Sequence, residues 1–361
     1  MGGLGKVVLE LPPAAGNPRN SEGSFLRLRD GRLLFVYSRF TEADWGDDAP
    51  ACIAARTSPD GGLTWSAEEI LFRRERFHAR NIMSVSLLRM ADGDLGLFFC
   101  LRRGWHDTRL HLFRSSDEGR TWGDPVCCIT ALGYYVTNND RVVRLSSGRI
   151  VVPSNFHRMK GESTEDCRSF DGRGIAVFFL SDDDGRTFRE AKQFCVLPHP
   201  ATETGLQETG VLERMDGSLW AFFRTDMGVQ YESCSRDGGE TWSQAAPTRF
   251  TSPTSPLCAR RMRDGRLLAV WNPVPKHQTQ ELKAWSWGRT PLACAVSGDD
   301  GLSWGAPRLV EDGEDGGGYC YTAIHCEPDA VLLAYCAGRE EDKSCLARLR
   351  MRRIPVGDLA D

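Results

Sequence analysis

The octapeptide Ser58-Pro59-Asp60-Gly61-Gly62-Leu63-Thr64-Trp65 recurs four more times along this chain. Its pattern is Ser, any, Asp, any, Gly, any, Thr or Ser, aromatic. The other copies run from Ser115 to Trp122, Ser181 to Phe188, Ser235 to Trp242 and Ser297 to Trp304, at intervals of 54 to 66 residues. A period of that size means one supersecondary unit repeated through the fold. Each copy reads as a turn: Asp and Ser bond nearby backbone, Gly permits the bend, and the aromatic plugs between neighbouring units. Between the boxes lie hairpin signals at Asp30-Gly31, Asp92-Gly93, Ser147-Gly148, Asp216-Gly217, Asp264-Gly265 and, in degenerate form, Asp329-Ala330. Short runs rich in Val, Leu and Phe flank each one, as in a β-hairpin. Six hairpins predict six four-stranded antiparallel sheets, an all-β, six-bladed β-propeller filling residues 1–361 as one domain. Blade six lacks a box but has strand material from Ala330 to Cys336 and from Ser344 to Arg353. Val7 to Leu11 is expected to pair with that blade and close the ring. An open array of sandwiched sheets is the competing architecture, and it would leave edges that closure removes.

Composition narrows the function. With a net charge of −4, nothing favours a nucleic-acid partner. No apolar run reaches the length of a membrane-spanning helix, so no membrane role is expected. The opening Met1-Gly2-Gly3-Leu4-Gly5-Lys6 lacks the apolar core of a signal peptide. Thirteen scattered cysteines, an odd number without metal-ligand spacing, fit reduced thiols in a cytoplasmic protein, or a secreted or periplasmic one if a leader has been removed. Most read as small core residues. No metal and no cofactor is called for, and oligomeric state is not legible.

In such a blade the hairpins and boxes share one face of the ring. The starts of strands one and three and the end of strand two lie on the other. Polar residues gather at those positions: Arg19, Asn20, Glu22, Arg39, Asp47 and Asp48 in blade one; Arg80, Asn81, Ser84 and Arg103 in blade two. Blade three adds Asn138, Asn139, Asp140, Arg141 and His157; blade four Gln207, Glu208 and Arg224; blade five Asn272 and Arg289; blade six Tyr319, Tyr321 and His325. Several arginines and carboxylates converging on a channel mouth suit an anionic small molecule. Solvated strand ends are the bland alternative for any one of them.

With these residues in view, the chain resembles the sialidase (neuraminidase) superfamily, whose Asp-box repeats match all five boxes. The resemblance implies a propeller with an exo-acting glycosidase site, although Asp-boxes also occur in proteins that are not sialidases. Asp48, in Asp48-Ala49-Pro50 ahead of the first box, resembles the family's general acid/base. Glu208 and Arg224, sixteen residues apart, match a family carboxylate and arginine, and Arg289 matches another arginine. The family nucleophile is a Tyr eight residues before the last hairpin, the position of Tyr321, with Tyr319 as the fallback. One departure stands out. The family opens strand one on Phe-Arg-Ile-Pro, whereas this chain reads Pro18-Arg19-Asn20-Ser21-Glu22-Gly23. Either Arg19 or Arg39 completes the arginine clamp, or the clamp has two arginines and Glu22 reads hydroxyls nearby.

What the resemblance implies is chemically coherent. The substrate would be a sialylated or other acidic-sugar glycan, its carboxylate held by the forked guanidinium groups of Arg224 and Arg289. That negative charge would repel a carboxylate nucleophile, and a neutral Tyr avoids the repulsion. Glu208 would take the phenolic proton. Asp48 would protonate the leaving oxygen and then activate water. Asn81, Asn139, Arg141 and Gln207 are expected to shape the pocket. Each assignment has a structural alternative: Tyr321 in the core, Glu208 paired with Arg224, Asp48 in an acidic loop with Asp44 and Asp47. The reading is an exo-α-sialidase. A hydrolase of deaminated sialic acid or ketodeoxyoctonate, a non-catalytic glycan-binding propeller, and a lyase or intramolecular transferase are the alternatives.

Overall fold

The computed structural model describes residues 3–42, 44–161, 169–274 and 283–359. The repeated octapeptides form the turns expected of them. In the first, Ser58 Oγ donates to Asp60 Oδ1 at 2.9 Å and the Gly62 amide donates to Ser58 Oγ at 2.8 Å. Thr64 donates to Asp60 through its amide at 2.9 Å and its hydroxyl at 2.6 Å. The other four boxes repeat this bonding. These bonds favour the ionised carboxylate, the Thr64 hydroxyl foremost, and bring Asp60 down to about 2.

Each box joins the third strand of a blade to the fourth. Blade 1 comprises Asn20–Arg27, Leu33–Phe40, Ala51–Ser58 and Glu69–Arg73. Blade 4 comprises Gln207–Glu213, Leu219–Arg224, Val229–Ser235 and Ala246–Thr251, and blade 5 Cys258–Arg261, Leu267–Trp271, Leu292–Ser297 and Arg308–Glu311. Blade 2 (Asn81–Arg89, Leu95–Gly104, Asp107–Ser115, Val126–Cys127) and blade 3 (Val143–Arg144, Ile150–Met159, Phe170–Ser181, Arg189–Glu190) are joined by Gly133–Val136. That strand pairs antiparallel with Ile150–Met159 and parallel with Asp107–Ser115, an addition to the simple repeat.

Blade 6 explains its missing box. Its first three strands are Gly318–Cys326, Ala330–Gly338 and Leu349–Pro355, and its fourth is Lys6–Leu11 from the start of the chain. No turn links strands three and four there, so there is nothing for a box to build. This pairing fastens the two ends of the propeller together.

The core is distributed between blades. Phe72, Phe77, Phe99 and Phe113 sit between blades 1 and 2, and Phe178, Trp242 and Phe223 between blades 3 and 4. Phe25, Phe35 and Tyr37 of blade 1 pack on Ala323, Leu332 and Met351 of blade 6, so the ring is closed. The box aromatics belong to these seams. Trp242 stacks on Phe178 of the preceding blade at 4.1 Å, and Trp304 lies 5.3 Å from Phe250. Gly62 shows why the box needs glycine. Its φ is +86°, and a Cβ there would fall 2.0 Å from Leu332 Cδ2 in blade 6.

Candidate active site

On the face opposite the boxes a cleft of about 530 Å³ opens. Bulges in the innermost strands build much of what lies beneath and around it. In blades 1, 2, 4 and 6 the pairing of strand one with strand two slips between Ser21 and Ser24, Met83 and Ser86, Gln207 and Gly210, and Cys320 and Ala323. Within these slips Glu22, Ser84, Glu208 and Tyr321 have φ of +54°, +63°, +52° and +57°, and Asp140 in blade 3 has +58°. Each costs on the order of 1–3 kcal/mol for a residue with a side chain, a strain the surrounding sheet must hold. A bulge re-aims a side chain out of the strand's alternation. Here it lets these side chains meet across blades.

Tyr321 and Glu208 meet in this way. Tyr321 Oη donates to Glu208 Oε1 at 2.7 Å. Arg224 Nη1 donates to the same oxygen at 2.6 Å, and Arg224 Nη2 donates to Gln207 Oε1. Gln207 and Arg224 are cross-strand partners at the mouth of the blade 4 hairpin, which is why an interval of sixteen residues brings Glu208 beside the arginine. Glu208 Oε2 is buried without a hydrogen-bond partner among the described residues. Burial pushes the Tyr321 phenol well above its ordinary value, the Glu208 charge adds to that, and Arg289 and Arg224 oppose it. The Arg289 guanidinium lies 5.3 Å from the Tyr321 ring and 5.0 Å from that of Trp287, and donates to the Thr254 carbonyl at 3.2 Å.

Across the cleft, the Trp45–Asp48 segment carries two carboxylates. Asp47 accepts from Arg19 Nη1 at 2.6 Å. Desolvation works against its charge, but the fields of Arg19 and Arg102 outweigh it and hold its carboxyl below the usual range. Asp48 is 42 % exposed, with Arg102 at 3.8 Å and Arg80 at 3.9 Å. One wall is aromatic. Trp105 stacks on Tyr134 at 5.1 Å, and Phe170 lies 5.1 Å from Tyr134 and 4.7 Å from His157. His157 is buried and bonded to the Asp171 carbonyl; desolvation lowers it to about 4, so its ring is neutral at neutral pH. Among the described residues no group of three or more His, Cys, Asp and Glu could hold a metal.

Tyr321, Glu208, Asp48, Arg224, Arg289 and Gln207 all line this one cleft. Asp47 and His157 line it too, whereas the other residues expected to bind or shape the pocket lie elsewhere. Arg19 is wholly buried beneath the cleft, between Asp47 and Glu22, with Nη2 2.8 Å from Glu22 Oε1. Glu22 also accepts from Ser84 and is likewise buried; desolvation raises it to about 7 against the pull of Arg19. Asn81 is buried and donates to the Ala49 carbonyl at 2.5 Å, steadying the loop that bears Asp48 rather than reaching the cleft. Asn139 donates to the backbone carbonyls of Gly23 and Tyr321, and Arg141 to that of Leu257, so both tie inner strands together. Arg39 does not enter the cleft; Glu68, just ahead of the outermost strand of its own blade, holds it at 2.9 Å. Tyr319 is buried between blades 5 and 6 and donates to Asp315, because the bulge after Cys320 breaks the parity it would share with Tyr321.

Sequence reasoning placed Arg103 at the mouth of blade 2, but Arg102 lines the cleft, opposite Asn81 in register. Arg103 turns out toward Asp107. The register of the Asp92-Gly93 hairpin carried that information. The aromatic wall of Trp105, Tyr134 and Phe170 left no comparable signal, since it assembles from two blades and the strand that joins them.

A model of the BNR repeat-like domain family matches residues 47–333. The chain is 22% identical over 270 residues to a sialidase of Bacteroides fragilis (strain YCH46), an overlap of 70% of this chain and 43% of that protein. It therefore spans less than half the length of that curated relative. Among solved structures, a protein of unknown function from Dyadobacter fermentans DSM 18053 superposes with a TM-score of 0.70 at 16% identity, over 97% of this chain and 99% of that one. An intramolecular trans-sialidase from Ruminococcus gnavus superposes with a TM-score of 0.71 at 15% identity, over 98% and 97%. At these identities the structural likeness speaks for the fold.

Proposed function

The chain belongs to the BNR repeat-like domain family, and on that footing we propose that it is an exo-acting glycosidase that releases terminal sialic acid with retention of configuration. The observation that carries the proposal is the contact of Tyr321 Oη with Glu208 Oε1 at 2.7 Å, in a cleft also lined by Arg224 and Arg289. A phenol bonded to a buried carboxylate is a nucleophile with its base in place. The two arginines supply the planar, charge-assisted contacts that an anomeric carboxylate needs.

In this mechanism the substrate carboxylate lies against Arg224 and Arg289. Glu208 takes the Tyr321 proton as the phenolic oxygen attacks the anomeric carbon. Asp48 gives a proton to the departing oxygen, then removes one from the water that releases the sugar from Tyr321. General acid–base help of this kind is worth about 10²–10⁴-fold. Asp47 is a poorer proton donor, since Arg19 holds it ionised. Asn81 fixes the loop behind Asp48, and the aromatic wall keeps water from one side of the cleft.

The test is turnover of fluorogenic α-glycosides of sialic acid, its deaminated analogue and ketodeoxyoctonate, with the first product followed by NMR. The expected result is fastest release from the sialoside, with the α anomer formed first. A β anomer would contradict retention, an anhydro-sugar would identify intramolecular transfer, and no turnover of any acidic glycoside would overturn the proposal.

A further inference from the structure

Three thiols that this chemistry does not use meet directly below the cleft. Cys320, Cys336 and Cys345 are buried together in one cluster with Leu346. Two of them adjoin the cleft floor in sequence: Tyr321 follows Cys320 and Leu346 follows Cys345, and both line the cleft. Arg289 Nη1 donates to Cys320 Sγ at 3.2 Å, so the arginine assigned to the substrate carboxylate rests on this sulfur. Cys320 and Cys336 are direct cross-strand partners in blade 6. Directly opposed residues of an antiparallel pair have Cα atoms about 4.5–5.5 Å apart, inside the range a disulfide spans.

We infer that Cys320 and Cys336 form a reversible redox site, whose disulfide withdraws the sulfur supporting Arg289 and weakens anion binding in the cleft. That second effect rests on the proposed carboxylate-binding role of Arg289. The oxidant is a peroxide. The Cys320 thiolate attacks one peroxide oxygen; the O–O bond breaks, leaving a sulfenic acid and a hydroxide that takes up a proton as water. The Cys336 sulfur then attacks Cys320 Sγ, the S–S bond forms, and the sulfenic oxygen leaves with the thiol proton as a second water. Two electrons pass from the sulfurs to the peroxide. The neighbouring thiols and the positive field of Arg289 outweigh desolvation and hold the Cys320 thiol well below its ordinary value, which supplies the thiolate.

The experiment treats the whole protein with hydrogen peroxide, maps crosslinks by peptide mass spectrometry, and titrates an unsaturated sialic acid analogue before and after. A Cys320–Cys336 crosslink, at least tenfold weaker binding and recovery of both with dithiothreitol are expected. Cys336→Ala, a small change in a packed cluster, should bind like the parent and keep its affinity through a mild, dithiothreitol-reversible oxidation. Oxidised protein without that crosslink, or with it and unchanged affinity, would overturn the inference. A reduced protein that binds no acidic sugar would instead overturn the functional reading, because the crosslink is read independently.

Discussion

The two faces of the propeller use their repeats in opposite ways. On the box face, five turns make the same bonds with Ser, Asp, Gly and a Thr or Ser, and each plugs a seam between blades with an aromatic. On the cleft face, five blades repeat a left-handed residue at the inner edge, but the side chain it presents varies among carboxylate, hydroxyl and phenol: Glu22, Ser84, Asp140, Glu208 and Tyr321. The repeated device there is the backbone bend, and the chemistry changes from blade to blade. A ring can thus keep its strength in copies of one turn while it sets a carboxylate and a phenol against each other in a single place.

The largest effects that would sharpen this contrast are at the bulges. Tyr321→Phe and Glu208→Gln are each expected to lower sialoside turnover at least a thousandfold and to shift the melting temperature by less than about 3 °C. A loss of fold in place of turnover would break the division between faces. Asp60→Ala should do the reverse. It removes four hydrogen bonds within the first box and should cost about 1–2 kcal/mol in denaturant unfolding, with kcat per folded molecule unchanged.

Acid should act on stability through two buried histidines. Desolvation lowers both His111 and His157 to about 4, whereas an unfolded histidine titrates near 6.5. Their folded values are depressed, so the unfolded chain takes up protons first. The stability they contribute is complete above about pH 6.5 and is lost as pH falls toward 4. Each neutral histidine costs about 1.4 kcal/mol per pH unit within that window. Unfolding midpoints from pH 7.5 to 4.5 check this, and the decline should be shallower in His111→Leu. The smallest effect belongs to Arg39→Met. KM and kcat should stay within about threefold of the parent, because Arg39 is held by Glu68, whereas Arg224→Met should lower kcat/KM by at least a hundredfold. A large loss in Arg39→Met would return that residue to the clamp.

The same contrast explains what the sequence could tell. Box turns are legible because identical local bonds require identical residues, and Asp-Gly hairpins because the turn demands positive φ. Blade 6 looked defective only because its outer strand comes from the far end of the chain. Glu208 and Arg224 could be paired by counting, since the hairpin between them fixes their register. Tyr319 could not be separated from Tyr321 by alternation, which a bulge interrupts without an Asp-Gly-like marker. Arg39 and Arg102 occupy equivalent register positions, opposite Asn20 and Asn81. A partner in the loop ahead of the outer strand turns one away, and the other lines the cleft. That distinction depends on contacts between distant residues, which no local pattern encodes.

The proposed chemistry turns on the bend at Tyr321, and a 3-fluorosialosyl fluoride tests it directly. The reagent should form a slow-turnover adduct that peptide mass spectrometry places on the Tyr321 oxygen, absent in Tyr321→Phe. An adduct on Tyr319 or on a carboxylate, or steady turnover of an α-sialoside by protein that never acquires one, would contradict the account.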